Sequence, residues 1–251
     1  MLRAKARRYP AFAKRLADEG AKVCVAGRHQ DELDRFAATI GGIGINCDLT
    51  DRDARADVVA RAEALAGPVD VLVNNAGIET GGLMYERSAA ELEELILLNV
   101  LAAMELTRQA LPGMVERGRG RIVIMSSAAA LAALPGMAVY SASKAAMSHF
   151  AAGLRADLKG LPVGVTLVQG ALVTPAEMAD RALSYPPTAA ARRRFVRLGL
   201  LADTDLHTLT AAVVRAVAND RRHVLRPRRL QGFAAMSEGP RRLTELILSG
   251  V

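Results

Sequence analysis

The chain has 251 residues, is 51% hydrophobic, carries a formal net charge of +7 and contains two cysteines. That size suits a single α/β domain over residues 1–251 with a substantial core. No apolar run is long enough to span a bilayer, and Cys24 and Cys47 read as buried free thiols in a reducing compartment, with a cytoplasmic location expected.

The charge is unevenly spread. Residues 181–251 carry 13 arginines against 5 acids, and the first 15 residues are basic with no acid at all. An Arg-rich start is compatible with a presequence, and a basic tail with nucleic acid or anionic lipid. The tail arginines alternate with Leu and Val rather than aromatics, so solvated helix faces are expected at both ends, with no nucleic-acid partner.

Along the chain, short apolar runs alternate with amphipathic ones, the pattern of a parallel sheet covered by helices. Strands are predicted at 22–27, 43–49, 69–74, 121–126, 163–169 and 223–226, the last on an edge. Helices are predicted at 30–40, 51–66, 89–117, 139–159, 206–218 and 241–248. Residues 177–201 read as a helical excursion broken at Pro186-Pro187, and from about 177 onward the chain is expected to supply a substrate lid and a C-terminal extension. The fold class is therefore α/β, a Rossmann-like, doubly wound parallel sheet.

Tyr140 and Lys144 are four residues apart on a predicted helix, so they share one face. A free phenol titrates near ~10 and is a poor base at neutral pH, but an adjacent ammonium favours the phenolate. Tyr140 then becomes a candidate general acid or base. Ser127 ends a predicted buried strand, on the side where open α/β sheets bind ligands, and its hydroxyl is placed to hydrogen-bond a substrate oxygen. Asn99 lies inside a predicted helix, where it is a mediocre helix former, and is a candidate anchor for a water continuing the proton path from Lys144.

The segment Asp70–Gly77, the Asn99-Val100 pair, the Ser126-Ser127 strand end and Tyr140-x-x-x-Lys144 together resemble the short-chain dehydrogenase/reductase family over about residues 11–180. The segment Cys47–Asp51 matches that family's adenine-side stretch. The resemblance implies a tetrad of Asn99, Ser127, Tyr140 and Lys144, with Tyr140 and Lys144 also in contact with the cofactor and Lys144 holding the nicotinamide ribose. It implies that Asp48 and Leu49 flank an adenine, that Asn75, Ala76 and Gly77 lie along the cofactor, and that Val173 and Thr174 touch the nicotinamide amide. It places no metal in the site.

One family feature is expected to be missing from this sequence. Members begin with a strand and a Thr-Gly-x-x-x-Gly-x-Gly loop, whose glycines let the backbone approach a pyrophosphate at a helix N-terminus. Counting back from Leu16–Ala21, the last two glycines fall on Arg7 and Tyr9, whose side chains would block that approach. Without a first strand between them, residues 22–27 and 69–74 either pair directly, shift apart, or accept a strand from another chain. A point contact to phosphate from Arg7 and Arg8 is a further reading. Gly41-Gly42-x-Gly44 does not replace the loop, because it precedes a strand and reads as a helix-to-strand turn.

Arg28, where an acid would bind ribose hydroxyls, suits a 2′-phosphate, so NADP(H) is preferred and NAD(H) is the alternative. Gln169-Gly170 replaces the family's usual Pro-Gly. The apolar run 128–137, with Met178, Leu183 and Tyr185 as lid candidates, favours an apolar small-molecule ketone or secondary alcohol. Apolar faces lie at 92–114 and 139–158, and the family resemblance implies that they pair across a two-fold axis, with a homodimer expected. Two functions follow: an oxidoreductase acting between NADP(H) and such a substrate, or a catalytically impaired relative that serves as a binding or assembly partner.

Overall fold

In the computed structural model, residues 8–132, 134–171, 173–174, 180–199, 201–232 and 234–236 are described, without the side chains at 8, 9, 174, 180 and 181. The expectations for Arg7, Met178 and a helix at 241–248 lie outside these residues.

The strands are β1 (Cys24–Gly27), β2 (Ile43–Asn46), β3 (Val71–Asn74), β4 (Gly120–Met125), β5 (Val163–Gly170), β6 (Val173–Thr174), β7 (Thr204–Asp205) and β8 (His223–Arg226). The helices are α1 (Arg8–Asp18), α2 (Gln30–Thr39), α3 (Arg52–Arg55), α4 (Val58–Ala66), α5 (Ala89–Ile96), α6 (Ala102–Glu116), α7 (Ala138–Asp157), α8 (Asp180–Leu183), α9 (Pro186–Arg197) and α10 (Leu206–Ala218). All six predicted strands form, three of them shorter than predicted, and β6 and β7 add a small parallel pair.

Strand β4 shows why the sheet is covered on both sides. Side chains along a strand alternate between faces. Ile122 and Ile124 enter one core with Leu98, Ala102, Met147 and Leu154, under α6 and α7. Val123 and Met125 enter the other with Phe12, Leu209 and Val213, under α1 and α10. A strand buried on both faces reads as one continuous apolar run. The exposed side of α1 carries ion pairs one helical turn apart, Lys14 to Asp18 at 3.4 Å and Arg15 to Glu19 at 2.6 Å, which is the solvated basic face expected of it.

Two helical expectations change in detail. The helix expected over 51–66 splits into α3 and α4. The side chain of Gln109 on α6 covers the break, donating to the Arg55 carbonyl at 2.8 Å and accepting from the Val59 amide at 3.4 Å. Those are backbone groups that a helix end leaves without partners. The helix expected over 89–117 is interrupted by a π-helical turn at Leu97–Leu101, centred on Asn99. The excursion breaks at the prolines as expected: α8 ends at Leu183, and Pro186 and Pro187 open the first turn of α9, where a missing amide hydrogen costs nothing.

The parallel sheet is in two pieces. Strand β1 pairs with β2, and β3 with β4, followed by β5 and β8. Among the described residues no strand lies between β1 and β3, and these two do not pair with each other. A cleft of about 640 Å³ separates them instead, lined by both strands, by α1 on one side and by α4 and α6 on the other. Of the alternatives open at the sequence level, direct pairing of β1 with β3 is therefore the one that does not occur. The two cysteines sit beside this region as free thiols. Burial pushes both thiols up, opposed in part by Lys22 at Cys24 and by Arg61 at Cys47, so both are held in the protonated form.

Candidate active site

The candidate residues converge at the carboxyl ends of β3, β4 and β5, where α7 begins. Strand β4 ends at Met125, and Ser126 and Ser127 follow as extended backbone before a single 3-10 turn. Ser127 caps that turn, its Oγ accepting from the Ala129 amide at 3.2 Å. Helix α7 starts at Ala138 and carries Tyr140 and Lys144 on its buried face. The Lys144 ammonium lies 5.7 Å from the centre of the Tyr140 ring. It donates to the Met125 carbonyl at 3.0 Å, which ties the helix to the end of β4.

The π turn positions Asn99. A π turn is one residue wider than an α turn and is found mostly at functional sites. Asn99 is 2% exposed. Its Oδ1 accepts from the Ile78 amide at 2.8 Å, and its Nδ2 donates to the Ile78 carbonyl at 2.9 Å and to Ser143 Oγ at 3.1 Å. The side chain thus pins the loop after β3 to α7. Gly77 is held within that clamp: a Cβ there would lie 3.0 Å from Asn99 Oδ1, so a larger residue would press on it, while Lys144 Nζ at 3.5 Å would be in ordinary contact.

Tyr140 and Ser127 line one small pocket of about 80 Å³ together with Ala128, Leu134, Met137 and Leu183. Two of its lining residues are charged, Glu79 and Arg192, and Arg192 is paired with Asp203 at 3.0 Å. Tyr185 does not line it; its ring packs against Gly136, which is in the left-handed region at φ 76°.

At the far side of the sheet, Arg28 ends β1 and reaches Asp48 beyond β2 at 3.4 Å. Burial opposes ionisation of Asp48, but hydrogen bonds from the Thr50 hydroxyl and amide, with the Arg28 guanidinium, outweigh it and hold the carboxyl below its ordinary range. Leu49 is buried in the core and lines the cleft between β1 and β3. Asn75 and Ala76 also line that cleft, at its β3 side. Val173 is buried beside Leu209, and the backbone of Thr174 pairs with Asp205.

The sequence reading passed over a buried polar chain behind Lys144. Ser126 Oγ donates to the Lys144 carbonyl at 2.8 Å and meets Ser148 Oγ at 2.9 Å. Gln169 Nε2 donates to Ser148 at 3.2 Å, and Gln169 Oε1 meets His223 Nε2 at 2.8 Å. The one available signal was Gln169 itself, an amide in an otherwise apolar strand. Ser143 was missed too, although it sits between Tyr140 and Lys144 in the motif.

The donor set fits the nicotinamide end of a dinucleotide: a phenol, an ammonium, and a glycine that admits close approach at the end of β3. The pyrophosphate end is different. Residues 8–19, which contain the whole of α1, include no glycine, so they offer no backbone cradle.

Residues 10–184 match the family model described as short chain dehydrogenase. The chain is 38% identical over 184 residues to the ketoacyl reductase HetN of Nostoc sp., covering 71% of this chain and 64% of that protein. It spans only about three fifths of the length of the curated relatives it matches, 64%, 61% and 59% for three of them. Among solved structures, a short chain dehydrogenase/reductase from Burkholderia phymatum in complex with NAD superposes with a TM-score of 0.78 at 25% identity, over 93% of this chain and 90% of that one. A closed form of serine dehydrogenase complexed with NADP+ superposes with a TM-score of 0.71 at 29% identity, over 82% and 83%.

Proposed function

The chain belongs to the short-chain dehydrogenase/reductase family, and from that premise we propose that it moves a hydride between NADP(H) and an apolar ketone or secondary alcohol. The observation that carries this reading is the convergence of Tyr140 and Ser127 on one pocket with Lys144 against the tyrosine ring.

The nicotinamide, when bound, supplies or takes back the hydride. The chain manages the proton. Tyr140 holds it at Oη, to be given to a carbonyl oxygen in reduction or taken from a hydroxyl in oxidation. Lys144 favours the phenolate that remains. Ser127 donates a hydrogen bond to the same substrate oxygen. Asn99 fixes the loop carrying Gly77 and supports a water path from Lys144. On the cofactor side, Arg28 is assigned to a 2′-phosphate, held in place by Asp48. Asp48 and Leu49 are assigned to the adenine side, Asn75, Ala76 and Gly77 to the middle, and Val173 and Thr174 to the nicotinamide amide. The mainly apolar pocket wall supports the substrate class, and exposed Ile96 and Leu101 on the helical segment expected to pair support a homodimer.

A second reading, a catalytically impaired relative that acts as a binding partner, rests only on the absence of glycine from residues 8–19. Calorimetric titration with NADPH separates the two. On the first reading NADPH binds at sub-millimolar concentration, and Tyr140→Phe lowers turnover by about 10²–10⁴-fold while leaving binding intact. Undiminished turnover in that variant removes Tyr140 from the chemistry, and a silent titration favours the second reading.

A further inference from the structure

The small pocket beside Tyr140 has one wall that the proton chemistry does not use. Helix α9 supplies it through Thr188, Arg192 and Phe195, which recur at i, i+4 and i+7 and so share one helical face. Thr188 fixes that face: it is buried, and its hydroxyl donates to the Pro135 carbonyl at 2.6 Å. Arg192 stands one turn further along and borders the same space as Ser127 and Tyr140. A guanidinium in a mainly apolar wall calls for an anion. Asp203 supplies part of one, accepting from Arg192 Nη2 at 3.0 Å. The Arg192 Nε is buried and has no hydrogen-bond partner among the described residues, and a buried donor left unmade is costly. The surrounding charge is one-sided as well. Helix α9 carries four arginines and no acid, and Arg193, Arg194 and Arg197 are exposed. The turn that ends in Leu230, another lining residue, begins with Arg228 and Arg229, both exposed. Glu79 in the lining and Asp203 beside it are the acids set against them. Clustered charge of one sign at the mouth of a cleft draws in ligands of the other.

We propose that Arg192 is a specificity-determining residue that holds a carboxylate at the far end of the substrate. The substrate is then an oxo acid, or the matching hydroxy acid, whose apolar chain lies between the Ser127–Tyr140 end of the pocket and α9. A planar guanidinium matches a carboxylate in shape as well as charge. Asp203 already neutralises part of the Arg192 charge, which suits a monoanion better than a phosphate dianion. The inference rests on the oxidoreductase reading for the reacting carbon, and it refines the substrate class at the end away from that carbon.

The test uses the full chain with NADPH and three oxo acids, oxopentanoate, oxohexanoate and oxoheptanoate, each with its ketone next to the terminal methyl and each beside its own methyl ester. Acid and ester differ in charge and little in shape, so the ratio of their kcat/KM values reads the anchor. Expected for at least one chain length is a ratio of about tenfold or more in favour of the acid, carried by KM. In Arg192→Met, which keeps an apolar stem and loses the charged head, the ratio falls to about one. In Arg192→Lys, which restores the charge without the planar fork, part of it returns. Each ratio compares two substrates on one variant, so a general loss of turnover cancels. A second readout needs no turnover: saturation-transfer NMR of hexanoate, with binding expected for the parent chain and lost in Arg192→Met. If the esters are reduced and no acid is preferred, or if Arg192→Met keeps the preference, the anchor is overturned while the oxidoreductase reading stands. If neither acids nor esters are reduced, that reading fails for these substrates and the hexanoate signal decides the anchor. No signal from the parent chain, or equal signals from parent and Arg192→Met, overturns it.

Discussion

The two halves of the sheet are built from similar strands but held very differently. In β4 and β5 nearly every residue is buried, each strand has two partners, and helices cover both faces. In β1 and β3 three of four residues are only partly buried, and each strand has one partner. Ser127, Tyr140 and Lys144 stand at the end of β4 and on α7, which packs against the first kind of scaffold, whereas Leu49, Asn75 and Ala76 line the cleft beside the second. Placement of candidate catalytic groups is held most firmly by the closed half.

The contrast can be broken by mutation. The largest difference is expected between Ile124→Ala in β4 and Val25→Ala in β1. The first removes a fully buried side chain and should cost about 2–5 kcal/mol, the second under about 1 kcal/mol because the cleft already leaves Val25 in partial contact. Denaturant unfolding measures both, and equal costs would mean that the cleft is closed in solution. Next is Asn99→Leu, which strips partners from the half-buried amide and carbonyl of Ile78 and from the buried Ser143 hydroxyl and should cost about 2–4 kcal/mol. Its effect should appear in the loop after β3, read as faster amide exchange there.

A smaller effect is expected for Gln169→Leu, about 1–2 kcal/mol, since Ser148 keeps its bonds to Ser126 and Lys144 while the bonds from Gln169 to Ser148 and His223 are lost. The smallest is Asp48→Asn. The folded pKa of Asp48 is depressed, so its contribution to stability is present above the unfolded value near ~3.9 and is lost as pH falls through the folded value. The variant should match the parent at acid pH and fall slightly below it near neutrality. A loss that persists in acid would place the effect in packing rather than in charge.

Much of this was legible in the sequence because it is local. The strands are apolar runs, α10 matches its predicted span, and Tyr140 and Lys144 share a face by helical spacing alone. What local pattern does not reach is side-chain traffic between distant elements. Nothing near Asn99 announces that its amide will clamp Ile78, or that the clamp needs a π turn. Gln109 is an ordinary helix residue until the break between α3 and α4 arrives beside it. Ser126, Ser148, Gln169 and His223 are spread over nearly a hundred positions and become one chain only when β5 is laid between β4 and β8.

The sequence by itself determined the class of fold and the positions of most elements, since each depends on periodicity within one element, and it singled out Tyr140 and Lys144 as proton-transfer candidates by their helical spacing. Only the tertiary structure decided that, among the described residues, β1 and β3 do not pair and a cleft lined by α1, α4 and α6 lies between them, because that arrangement rests on contacts between elements distant in sequence.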